Sequence, residues 1–223
     1  MLRSKVRTSA VALAIALATG LASSVAFGVD LQLSDDDIAR AVQQGIDQAR
    51  SPDHGFQVKD YVLFGVTDPL RISAGGKLVD AVIVATPREQ VLYQSYLAEF
   101  EGKPLSPAKG RSVAGQYEGR IGFRVFAHSR GLEESDRDFL KAFGRARLTV
   151  GGKDYPASSS NIFGPGQDFF ILPDGQHVMR WLGSVTFVFD ASKLPSTSGP
   201  MTLTFDDGEG QSYSYDVDLG GYQ

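Results

Sequence analysis

Apolar residues in the first third of the chain recur at helical spacing. Ile38, Val42, Ile46 and Ala49 share one face of a 3.6-residue period, which predicts an amphipathic helix over residues 35–50. Ser34 supplies its N-cap, and Asp37 three residues on makes a variant of the capping box. Asp35 and Asp36 suit the positive end of the helix, so capping accounts for the three aspartates without a metal. Ser51-Pro52-Asp53-His54-Gly55 stops the helix. Two near-continuous apolar runs follow, at 61–66 and 78–85, and read as strands buried on both faces. Thr86-Pro87-Arg88-Glu89 then opens a second helix, with Thr as cap, Pro at the first helical position and Glu completing the box. Leu92, Tyr96 and Phe100 line one face of it, and Gly102 ends it. Residues 103–119 are rich in Gly, Pro, Ser, Ala and Lys without a sustained period, and are expected to form a linker or long surface loop.

From residue 120 the period changes to two. Ile121, Phe123 and Val125 alternate with Gly122 and Arg124, and Ala146, Leu148 and Val150 alternate with Arg145, Arg147 and Thr149. Gly151-Gly152 predicts a hairpin turn into a strand around Tyr155. Val185, Phe187 and Phe189 form another alternating set, as do Met201, Leu203 and Phe205. In the last strand Tyr213, Tyr215, Val217 and Leu219 point one way, while Ser212, Ser214, Asp216 and Asp218 point the other. Short strands are also expected at 169–172 and 178–182, and a short helix over 134–143 carries Phe139, Leu140 and Phe143. The expected fold is mainly β: an immunoglobulin-like antiparallel β-sandwich over 120–223, with a smaller α/β part over 27–102. The paired cysteines of immunoglobulin domains are absent, so the expectation is architectural.

The first 26 residues carry a different signal. Arg3, Lys5 and Arg7 precede an apolar stretch at 11–21 that is too short to span a bilayer, and Ser24-Val25-Ala26 is a small-x-small cleavage site. They read as a secretory signal peptide, cleaved after Ala26, that directs the protein by the Sec route to the periplasm or the exterior, with no transmembrane segment left behind. Losing three basic residues takes the net charge from −4 to −7. Cysteine is absent from all 223 residues, which excludes disulfide frameworks, thiolate metal sites and thiol nucleophiles. The stability of an exported chain of this kind rests on its core.

Chemistry is harder to read. Nucleotide-binding glycine motifs, the nucleophile elbow and the zincin motif are missing, and nothing in the sequence places a Ser, a His and an acid together. His54, His128 and His177 are dispersed, although His177 and Met179 would share a face of a strand as a weak metal-ligating pair. Asp206-Asp207-Gly208-Glu209 lacks the alternating oxygen ligands of a calcium loop and reads as a hairpin turn. Most Tyr and Phe positions are inward-phased core, while Trp181 stands open between core and a ligand platform.

Charge is uneven. Residues 103–153 hold eleven basic and five acidic side chains within an acidic chain, whose overall sign and export argue against nucleic acid as partner. Arg124, Arg145 and Arg147 fall on solvent-side phases of two strands and, were those strands neighbours, would form a stripe for phosphate, sulfate or carboxylate groups. The competing expectation is that the protein's own acids neutralise them, with Asp206, Asp207 and Asp218 as candidates. The function expected is that of a non-enzymatic binding or structural accessory protein of the cell envelope, recognising an anionic polymer or protein and needing no cofactor. The alternatives are an exported hydrolase with an unidentified site and a periplasmic metal-handling protein using His177 and Met179.

Overall fold

The computed structural model describes residues 29–52, 59–65 and 77–222. The signal segment and His54 lie outside the described residues. Helix α1 (Asp35–Arg50) starts as its caps dictate: the Ser34 hydroxyl accepts from the Asp37 amide, and the Asp37 carboxylate accepts from the Ser34 amide at 3.1 Å. Helix α2 (Pro87–Phe100) begins at Pro87, with the Thr86 hydroxyl accepting from the Glu89 amide.

A third helix, α3 (Pro107–Tyr117), occupies most of the stretch expected to be a loop. Ser106 caps it by accepting from the Lys109 amide, and its buried face is only Gly110 and Ala114. That face sits against Ile38, Val42 and Val91, where tertiary burial supplies what helix propensity does not. Ile38, Ala41, Val42, Val91, Leu92 and Ala114 make a small core of their own among the three helices. Gly45 lets α1 and α2 approach closely: a Cβ there would sit 2.7 Å from that of Ser95, whose hydroxyl donates to the Val42 carbonyl.

The strands form two antiparallel sheets. The first joins β1 (Val62–Gly65), β2 (Val79–Ala85), β3 (Arg120–His128), β6 (Ser159–Ile171) and β7 (His177–Asp190) in the order β1-β2-β3-β7-β6. The second joins β4 (Gly144–Val150), β5 (Lys153–Pro156), β8 (Pro200–Asp206) and β9 (Ser212–Asp218) in the order β5-β4-β8-β9. The N-terminal strands therefore extend the same sheet as β3 and do not make a separate one. Phe123, Val125, Phe187 and Phe189 of the first sheet share a core with Leu148, Leu203, Phe205 and Val217 of the second, and the rings of Phe187 and Phe205 lie 5.4 Å apart. The protein is mainly β, as the alternation predicts.

Several local expectations hold. Gly151 and Gly152, with φ of 57° and 78°, close the two-residue hairpin between β4 and β5. On β9, Tyr213 and Val217 are buried, Tyr215 is half-buried, and Ser212, Ser214, Asp216 and Asp218 are exposed. Other elements differ. The helix expected over 134–143 is two short 3₁₀ turns, Glu134–Asp136 and Phe139–Ala142. The two short strands expected at 169–172 and 178–182 are parts of one long hairpin, β6 and β7, of 13 and 14 residues. β6 runs through Gly164-Pro165-Gly166, where the pairing register shifts between Phe163 and Gly166. Among the described residues no helix is long and apolar enough to cross a membrane.

Candidate ligand-binding cleft

The three arginines do not share a surface. Arg124 lies on β3 of the first sheet, whereas Arg145 and Arg147 lie on β4 of the second, so the strands are not neighbours. Ala146 and Leu148 point into the core, which puts Arg145 and Arg147 on the outer face of the second sheet. Arg145, at an irregularity in β4 with a φ of 52°, pairs with Asp206 at 2.6 Å. Arg147 donates to the Thr204 hydroxyl at 3.0 Å and lies 3.7 Å from Asp154. Arg124 is not solvent-facing: its side chain is 11% exposed, beneath α2.

The remaining candidates sit in separate places. His177 and Met179 do share a face of β7, opposite Ile171 and Phe169 of β6. Among the described residues no group of three His, Asp or Glu side chains converges as a metal site requires. His128 is buried, with Nδ1 2.9 Å from both carboxylate oxygens of Asp80. Ser129 beside it spends its hydroxyl on the Gly131 carbonyl and the Trp181 amide. The Trp181 indole donates to the Glu133 carbonyl at 3.2 Å, and the Arg137 guanidinium lies over its ring. Asp207 organises the 206–209 turn, accepting from the Glu209 and Gln211 amides and the Tyr213 hydroxyl. Burial, reinforced by that carboxylate, pushes the Tyr213 hydroxyl up from its ordinary value.

A cleft of about 470 Å³ opens between α2 and the outer face of β3, β7 and β6. The start fixed by Thr86-Pro87 sets the phase of α2, which brings Gln90, Tyr93 and Leu97 to it. Ser184 and Thr186 of β7 are short side chains on the sheet side, and Gly183 lines it as well. Phe126, Leu182 and Phe163 give it apolar walls, and Phe163 is 79% exposed at the rim. Such a volume, with apolar walls and a few converging polar groups, suits a small organic ligand.

Arg124 is the cationic group lining this cleft, whose lining also includes Asp168. Its guanidinium lies 5.0 Å from the centre of the Tyr93 ring, a cation–π distance, and Nη1 reaches Glu89 Oε1 at 3.4 Å. Glu89 is fully buried, and its other oxygen accepts from the Gln90 side-chain Nε2 at 2.6 Å. Burial raises the Glu89 carboxyl to about 7, against the opposing pull of Arg124 and the Gln90 hydrogen bond. Burial likewise raises the Tyr93 hydroxyl, with Arg124 opposing. The sequence offered Glu89 as the returning half of a capping box. Its amide does bond to Thr86, while its carboxylate turns to Arg124.

No family model matches this sequence, and no curated protein or solved structure is significantly similar to it.

Proposed function

We propose that this chain is an exported, non-enzymatic binding protein that holds a small amphipathic ligand in the cleft between α2 and the first sheet. The cleft itself carries the reading: apolar walls of Phe126, Leu182 and Leu97 close on Arg124, Tyr93 and Gln90. A guanidinium, a phenol and an amide orient a ligand through hydrogen bonds and ring contacts. Two antiparallel sheets packed face to face fit an immunoglobulin-like sandwich serving as the scaffold. Export rests on the charged start, short apolar stretch and small-x-small site of residues 1–26.

An anionic partner remains part of this reading through Arg124 alone. Arg145 and Arg147 belong to a different face and engage Asp206, Thr204 and Asp154. The test is a nuclear magnetic resonance titration of residues 27–223 with small amphipathic compounds. Amide shifts should cluster at Tyr93, Phe126, Leu182 and Gly183. Gly166→Phe should abolish them, because a Cβ at Gly166 meets nothing within 4 Å and a ring there fills the cleft without displacing backbone. Shifts scattered away from these residues, or unchanged in Gly166→Phe, would overturn the reading.

A further inference from the structure

We infer that the ligand of this cleft is a small amphipathic monocarboxylate, its carboxylate held by Arg124 and its apolar body along Phe126, Leu182 and Leu97. The inference rests on the binding role proposed for the cleft and specifies its chemistry. A guanidinium has five N–H donors in a planar fork. Among the described residues Arg124 uses one, in the 3.4 Å contact to Glu89, which is at the long end for a hydrogen bond. The contact with Tyr93 draws on the charge of the group rather than on a hydrogen bond. A side chain 11% exposed therefore reaches the cleft with donors to spare, next to apolar walls.

Charge selects the head group. Glu89 lies beside Arg124 and Asp168 also lines the cleft, so a doubly charged phosphate would meet more repulsion than a single carboxylate. The two oxygens of a carboxylate also match the guanidinium fork.

Glu89 couples this site to pH. The groups facing it are Arg124 from β3, Tyr93 on its own helix, and Tyr61 ahead of β1 with Arg88 beside that ring. Burial holds the Glu89 carboxyl near 7, so it takes up a proton as the pH falls through neutrality. A neutral Glu89 leaves the Arg124 charge to the incoming anion, and binding strengthens toward acid.

The test compares octanoate with octanol, which carries the same apolar body without charge, by isothermal titration calorimetry on residues 27–223. Octanoate should bind at least roughly tenfold more tightly than octanol, as one charge-assisted hydrogen bond to a largely buried guanidinium allows. Affinity for octanoate should fall by up to roughly tenfold from pH 6 to pH 8, the span over which one carboxyl with a value near 7 loses its proton. Glu89→Gln should keep the preference for octanoate and lose its pH dependence. The double variant Arg124→Gln/Glu89→Gln removes both charges together, so no buried charge is left unpaired, and, with its thermal melt checked against wild type, it should bind the two compounds equally. Octanol binding as tightly as octanoate, or a double variant that still prefers octanoate, overturns the carboxylate and leaves the cleft standing. If neither compound binds wild type at pH 6, this inference and the binding role of the cleft both fall.

Discussion

Glu89 and Arg124 form a buried ion pair that bridges helix and sheet: the carboxylate, 0% exposed, meets the guanidinium at 3.4 Å across 35 residues of chain. The pair ties α2 to the outer face of the first sheet beside the cleft. The long contact to Arg124 and the Gln90 hydrogen bond offset only part of the cost of burying a carboxylate, and the raised titration of Glu89 follows from that imbalance.

That imbalance makes stability depend on pH with a definite sign. The folded state holds the Glu89 proton up to about 7, whereas an unfolded chain releases it near 4.5. The contribution is therefore fully present below 4.5 and is lost as the pH rises through 7. Wild type should lose on the order of 3 kcal/mol relative to Glu89→Gln between pH 4.5 and pH 8. Urea melts of both proteins across that range measure it, and parallel curves would remove Glu89 as the titrating group.

The facing of β9 gives a second outcome. Val217 is 2% exposed in the shared core, while Asp216 beside it is exposed. Val217→Asp should cost about 3 kcal/mol or more by burying an unpaired carboxylate, and Asp216→Ala should stay within about 0.5 kcal/mol. Denaturant midpoints decide it. Equal losses would mean that the strand is out of phase by one residue.

Two helical glycines should respond oppositely to alanine. At Gly45 a Cβ would lie 2.7 Å from the Ser95 Cβ, at the crossing of α1 and α2, so Gly45→Ala should destabilise by about 1–3 kcal/mol. At Gly115, within α3, a Cβ meets nothing within 4 Å, so Gly115→Ala should stabilise by up to about 1 kcal/mol. Thermal melts of the two variants should move in opposite directions.

Export has its own check. The protein purified from an envelope or culture fraction should begin at Phe27, following Ser24-Val25-Ala26. N-terminal sequencing reads this directly, and an intact Met1 terminus in the membrane pellet would contradict it.

Caps and periods made much of this fold legible. Ser34 and Thr86 mark the true starts of α1 and α2, and the alternation in β3, β4, β8 and β9 gives the correct inward sets. α3 was not legible from its apolar pattern, since Gly110 and Gly115 weaken it and its buried face is only a glycine and an alanine. Yet Ser106-Pro107 repeats the signal of Thr86-Pro87, and was the clue available. The first half of β6 reads as loop because Ser159, Ser160 and Asn161 carry no apolar phase; pairing to β7 makes it a strand. For Arg124 the phase was right and the surroundings were not. Periodicity says which residues share a face of a strand, but nothing local says that a helix from elsewhere covers that face. The partnership of Glu89 with Arg124 is invisible for the same reason, as is the cleft it borders.

The break in β6 has a further consequence for how this protein meets its own copies. β6 is the outer strand of its sheet and displays Ile162, Phe163 and Phe169, the kind of border on which a stray chain can zip. Pro165 offers no N–H, and the register slips between Phe163 and Gly166, so the border is split into two short runs. A strand arriving from solvent can match one run or the other but not both in a single register. Apolar side chains can thus stand at the mouth of the cleft, ready for a small molecule, on an edge that is a poor template for growing fibres.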